Sequence, residues 1–167
     1  MYPVSLGYEE AKKRINKLSK NGHYAEALLT SVFTIEKTLR RTLKQLIVST
    51  GFPSRLADKY VKGIGGIVKI SQNWIYFDPE HRSLNEIISN SNWQIIKHAN
   101  KMRNNLVHGT RVYDIEKCEK EVRKIVALLD DLTARFEEEY EFNGWAKFSI
   151  RRKSTLHADP KVKVVIR

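Results

Sequence analysis

Cysteine is almost absent from this chain, with Cys118 standing alone. A lone cysteine closes no disulfide within the chain and supplies no C-x-x-C pair for zinc or thiol exchange. Long apolar runs are missing as well. No stretch approaches the roughly 18 uninterrupted apolar residues of a membrane span. Met1 to Tyr8 has no basic segment leading into an apolar one, so no signal peptide is expected there. These absences predict a soluble, cytoplasmic protein with no membrane partner. Internal repeats and low-complexity tracts are lacking too. His23, His81, His98 and His157 show no ligand spacing such as H-E-x-x-H, so they read as surface or packed residues and no metal site is expected. Gly63-Ile64-Gly65-Gly66 is followed by no lysine-serine or lysine-threonine pair, which makes it a plain loop rather than a phosphate cradle. No cofactor is implied.

Acidic residues are the minority charge, 19 against 30 lysines and arginines, for a net charge of +11. The isoelectric point is about 9.8. A polyanion is attracted to such a surface, and nucleic acid is the commonest one in a cell. The hydrophobic share, 41%, is that of a globular protein and argues against wholesale disorder. At 167 residues the chain fits one domain that can bury a core without staples.

Apolar residues recur at helical spacing over most of that length. Tyr8, Ala11, Ile15 and Leu18 predict a helix over 8–20, broken by Asn21-Gly22. Leu28, Val32, Ile35, Leu39, Leu43 and Leu46 predict a second helix from near His23 to about Val48, ended by Gly51 and Pro53. The middle is less regular. Ser54 suits a short helix through Val61; a glycine loop at 63–66 and the aromatic cluster Trp74, Tyr76 and Phe77 follow. Those aromatics suit base stacking, although such density is more often core. Ser83 with Glu86 reads as a capping box. Asn92 is the expected cap of a helix carrying Ile95, Ala99, Met102 and Leu106, which ends at His108-Gly109. Asp114 opens a long helix whose near-heptad stripe runs from Ile115 to Tyr140, enough for a core and a partner subunit together. Glu137 to Glu139 read as a solvated face.

The chemistry concentrates in Lys101-Met102-Arg103-Asn104-Asn105-Leu106-Val107-His108-Gly109. Arg103 lies about 100° round the helix from Met102, at the edge of the apolar stripe. His108 lies about 140° from Arg103 on an unbroken helix. Either His108 leaves the helix, as Gly109 permits, or each residue meets its counterpart from a second subunit. A histidine, with a reference pKa of about 6.5, takes a proton from a ribose 2′-hydroxyl or gives one to a leaving oxygen. An arginine holds a phosphate in a bidentate fork, and an asparagine orients either group.

Arg103, Asn104 and His108, with four residues between arginine and histidine, resemble the signature of the HEPN family (higher eukaryotes and prokaryotes nucleotide-binding). Gly22-His23-Tyr24-Ala25-Glu26-Ala27-Leu28 at the start of a long helix, and the long helix after the motif, extend the resemblance over residues 5–142. The resemblance implies an all-α, HEPN-like helical bundle over 1–143 that dimerises with two Arg/His motifs at one cleft. It also implies a metal-independent endoribonuclease acting on single-stranded or looped RNA, in a toxin–antitoxin or antiviral defence setting with an antitoxin or defence-system partner. The alternative is a non-catalytic HEPN-like module that binds nucleic acid or a partner protein. One toxin subgroup of the family carries a tyrosine, two residues after the histidine, that an antitoxin modifies. Here Thr110 stands there and Tyr113 is the nearest tyrosine, which speaks against such control.

After Gly144 the period changes. Phe148 and Ile150, then Val162, Val164 and Ile166, alternate with polar residues around Asp159-Pro160, predicting a small C-terminal β-hairpin over 144–167. Arg151, Arg152, Lys153, Lys161 and Lys163 sit on it. They are read as a phosphate-contacting, nucleic-acid-binding arm or as the charged guard of an exposed edge.

Overall fold

A computed structural model describes residues 7–147. The expected hairpin, its five basic residues and His157 lie outside the described residues. Within them the chain is all-α, with seven helices: α1 (Tyr8–Lys20), α2 (Tyr24–Ser49), α3 (Ser54–Gly63), α4 (Gly66–Phe77), α5 (Leu84–Ile88), α6 (Asn90–Val107) and α7 (Ile115–Tyr140). No helix among them is long and apolar enough to cross a membrane.

The organising element is α2, which packs against α1, α3, α4, α6 and α7. A helix touched on so many sides must bury polar positions as well as apolar ones. It does so with small hydroxyls. Thr30, Ser31, Thr34, Thr38, Thr42 and Ser49 are buried, and each donates to the carbonyl four residues back, at 2.7–3.0 Å. Buried hydroxyls satisfied within their own helix avoid the desolvation cost of an unpaired donor. Their small size also lets other backbone come close. After α7, Gly144 (φ +87°) lies so near α2 that a β-carbon there would meet Thr38 Cγ2 at 2.8 Å. Trp145 then donates from Nε1 to Thr38 Oγ1 at 2.9 Å, and Arg41 donates to the Gly144 and Ala146 carbonyls at 2.6 and 2.8 Å.

The predicted α1, α2, α6 and α7 stand close to their expected bounds. The middle is more regular than expected. Only Ile64 and Gly65 remain between α3 and a full helix, α4, which buries Ile67, Ile70 and Trp74 at spacings of three and four. The aromatic cluster divides: Trp74 is in the core, Phe77 packs against it, and Tyr76 is 68% exposed. The α5 capping box is present, with Glu86 accepting from the Ser83 N–H at 2.6 Å. The α6 cap differs. Ser89, not Asn92, precedes the helix, and its Oγ accepts from the Asn92 N–H at 3.3 Å.

The stripe on α7 is filled from within. Cys118, Val122, Ile125, Leu129, Leu132 and Phe136 are all buried in this chain's own core. It therefore leaves little for a partner. Apolar side chains stay open in two other places: around α3 and α4, where Phe52, Leu56, Tyr60, Val68, Ile75 and Tyr76 are 40–68% exposed, and at the α6–α7 junction, where Val107, Val112 and Ile115 are 54, 88 and 65% exposed.

Candidate active site

The C-terminal end of α6 sets the geometry. Ile96, Ala99 and Met102 bury one face of the helix, which fixes its rotation about its axis. The helix then stops abruptly. Gly109 takes a left-handed φ of +64°. Its N–H bonds the Leu106 carbonyl at 3.3 Å, and the Thr110 N–H bonds the Asn105 carbonyl at 3.0 Å. This pair of reversed bonds is the Schellman stop, which satisfies carbonyls that the helix would leave open. His108 is the capping residue itself, at φ −88° and ψ 1°. Its imidazole stands exposed at the helix end and makes no hydrogen bond or ion pair among the described residues.

Arg103 is held differently, on the flank of α6 that faces α2. Its guanidinium carbon lies 4.6 Å from the centre of the Phe33 ring, a cation–π placement. Nη1 donates to Asn104 Oδ1 at 2.7 Å, and Nη2 sits 3.6 Å from Glu36 Oε2. Nε is buried with no partner. Glu36 is itself anchored: its Oε1 accepts from Arg40 Nε at 3.0 Å and Nη2 at 2.7 Å. Arg40 in turn donates to the Val61 and Ile64 carbonyls at the end of α3, at 2.7 and 2.9 Å. A relay therefore runs from the α3 carbonyls through Arg40 and Glu36 to Arg103 and Asn104. Phe33, Glu36 and Arg40 were not singled out from the sequence. The available signal was the i, i+4 pair Glu36–Arg40 on α2, a spacing that also serves plain helix stability.

The next asparagine has another task. Asn105 Nδ2 donates to the Tyr113 hydroxyl at 2.7 Å, and its Oδ1 accepts from Thr110 Oγ1 at 3.3 Å. Arg111 lies 5.3 Å over the Tyr113 ring. Asn105 thus ties the 109–113 turn back to α6 and holds the segment that follows His108. His98 belongs to packing: its Nδ1 meets the buried Glu121 of α7 at 3.0 Å.

Arg103, Asn104 and His108 thus share the last turn of α6. The arginine and asparagine are hydrogen-bonded to each other, and the histidine is separate from both. Among the described residues no group of three or more His, Cys, Asp or Glu is placed to hold a metal ion. The partly engaged fork can bind a phosphate and the solvent-facing imidazole can exchange protons, but the two stand on different sides of α6, about 140° apart round its axis. Comparison with protein-family models, characterised proteins and solved structures gives no match.

Proposed function

We propose that this protein is a metal-independent endoribonuclease of the HEPN type, cleaving single-stranded or looped RNA as an intracellular homodimer. The observation that carries the proposal is the asymmetry within one helix turn. Arg103 is aimed by Phe33, Glu36 and Asn104, while His108 is left exposed and unbonded at the capping position.

The reaction follows from those two groups. The fork of Arg103 binds the scissile phosphate and stabilises the charge that grows on its oxygens. A neutral His108 imidazole takes the proton from the adjacent ribose 2′-hydroxyl as that oxygen bonds to phosphorus. The bond from phosphorus to the 5′-oxygen breaks, and that oxygen takes a proton from an imidazolium. The products are a 2′,3′-cyclic phosphate and a 5′-hydroxyl. One imidazole cannot be base and acid in the same step, so a second copy supplying its own His108 completes the site. The exposed Val107, Val112 and Ile115 beside His108 are the surface through which that copy would pack. Arg151, Arg152, Lys153, Lys161 and Lys163 add affinity for phosphate without base information. A defence-system or antitoxin partner fits the same reading.

Incubation with total RNA in chelator tests it, comparing wild type with His108→Ala. Cleavage is expected to persist in chelator and to fall by about 10²–10⁴-fold in the variant. Cleavage equal in both proteins refutes the assignment. One observation favours the second reading, a module that binds nucleic acid or a partner protein without cutting. Glu36 and Asn104 already engage the Arg103 fork, and nothing described orients His108. On that reading RNA binding survives His108→Ala and no cleavage is seen in either protein.

A further inference from the structure

Helix α6 is purely cationic, and α4, which packs against it, also lacks acids. Over its 18 residues it has no aspartate or glutamate, yet it carries Lys97, Lys101 and Arg103. Some lysines elsewhere find acids, as Lys12 with Asp130, Lys44 and Lys62 with Asp58, Lys117 with Asp114 and Lys124 with Glu121, while exposed Lys17, Lys20, Lys59 and Lys69 do not among the described residues. Lys97 and Lys101 are exposed and pair with no acid among the described residues. Their position on the helix is ordered. Asn90, Gln94, Lys97, Lys101, Asn104 and His108 follow one another at spacings of four, three, four, three and four. At 100° per residue all six fall within about 80° of arc, opposite buried Ile96, Ala99 and Met102, with buried Trp93 about 20° beyond one edge of that arc. At 1.5 Å per residue Lys97 and Lys101 stand about 6 Å apart along the axis, and Lys101 about 10 Å from His108. Those intervals suit successive phosphates of one strand leading away from a phosphate at His108.

We infer that this stripe is a track for single-stranded RNA, with Lys101 and Lys97 holding the phosphates next to the cleaved one. The inference rests on the nuclease reading of Arg103 and His108 and extends it to the flanking nucleotides. A plain solvated face would be expected to mix charges of both signs; this one has a single sign and lies in line with His108. A single strand fits better than an acidic protein surface because the two cations and the imidazole repeat along one line. Asn90 and Gln94 extend that line with groups that suit sugar or base edges, and they are already hydrogen-bonded to each other at 3.4 Å.

The test uses the full chain and a fluorescent 2′-O-methyl oligoribonucleotide, which cannot be cut because it lacks the attacking hydroxyl. Anisotropy titrations over a range of salt give the slope of log affinity against log salt. Lys97→Gln with Lys101→Gln should flatten that slope by about 1.4, or 0.7 for each single-strand phosphate that no longer meets a lysine. A matched control, Lys13→Gln with Lys20→Gln on α1, removes the same charge from a helix that packs on α2. Equal flattening by both pairs, no flattening by the α6 pair, or no binding of the oligonucleotide by wild type overturns the track. With cleavable RNA the α6 pair should raise KM and leave kcat unchanged. The two readings fail separately. A slope that flattens in a protein that cuts nothing keeps the track and refutes the nuclease. Cleavage with an unchanged slope does the reverse.

Discussion

At the end of α7, six polar side chains close on one another. Asp78 is fully buried and accepts from the Tyr140 hydroxyl at 2.7 Å, from the Glu80 and Arg82 N–H groups at 2.9 and 3.0 Å, and from the Arg82 guanidinium. Trp74 Nε1 donates to the same Tyr140 oxygen at 3.0 Å, and Arg82 and Arg135 both pair with Glu139 at 2.8 Å. At the end of α6 the arrangement is open. The Arg103 fork is only partly engaged, and the His108 imidazole faces solvent. The first cluster has the chemistry of a site, with two acids, a phenol and two arginines, but its groups bond to one another. The second has fewer groups and leaves them available. Unused hydrogen-bonding capacity, rather than the presence of ionisable residues, separates the region that holds the fold from the proposed site.

Breaking the closed cluster should cost the fold most. Asp78→Ala leaves Arg82 and the Tyr140 hydroxyl without their shared acceptor, and the loss of one partner of a buried ionic network is about 3–5 kcal/mol. For a domain of this size that lowers Tm by roughly 10 °C, since each kcal/mol shifts it by about 2–4 °C. Thermal denaturation measures it. A shift within 1–2 °C (about the scale of a surface substitution) would show the cluster to be ornamental.

Acid should act on the same carboxylate. Burial pushes the Asp78 carboxyl up, but hydrogen bonds from Tyr140, Arg82 and Glu80 outweigh it and hold the group below the ordinary carboxylate range. A depressed folded-state value gives stability that is present above the unfolded value of about 3.9 and is lost as pH falls through the lower, folded one. Tm of wild type should therefore fall on acidification in that window, and Asp78→Asn should fall less steeply. Parallel pH profiles would sever the link to Asp78.

Gly144→Ala comes next. It puts a β-carbon 2.8 Å from Thr38 Cγ2 at a φ of +87°. Strain of that kind costs about 1–3 kcal/mol. Chemical denaturation should show it, and full stability would mean that residues 143–146 do not lie on α2. Removing residues 148–167 leaves Trp145 on Thr38, so stability should hold while RNA affinity falls and its salt slope flattens. A lowered Tm would make that segment structural.

The open cluster should respond the other way. Glu36→Gln takes the ion-pair partner from Arg103 and Arg40, costing about 1–2 kcal/mol of stability, and lowers kcat more than binding. Unaltered kcat would remove Glu36 from the positioning of Arg103. His108→Ala should move stability least, within about 0.5 kcal/mol, as for an exposed side chain.

The contrast also explains what could be read in advance. The helices α1, α2, α6 and α7 were legible because each buries a continuous apolar stripe. The helix α4 carries the same spacing in Ile67, Ile70 and Trp74, but Gly65-Gly66 at its start and Asp78-Pro79 at its end look like loop. Ser89 and Asn92 are both capping residues three apart, and nothing local decides between them. Arg103, Asn104 and His108 were legible as types within one short segment. Phe33, Glu36 and Arg40 were not, because they reach Arg103 only through the packing of α2 on α6. Glu139, expected on a solvated face, is largely covered by Arg82 and Arg135. Pairings between distant segments are the part that composition and period do not encode.

The most direct test of the open cluster is the chemistry of the ends it makes. A defined single-stranded RNA is incubated with the purified protein in excess chelator, and the termini of the fragments are determined for wild type and His108→Ala. A nuclease built on Arg103 and His108 gives 2′,3′-cyclic phosphate and 5′-hydroxyl ends from wild type, and fragments reduced by about 10²-fold or more from the variant. Ends bearing 3′-hydroxyl and 5′-phosphate, cleavage that appears only on adding a divalent cation, or an undiminished His108→Ala variant would contradict it.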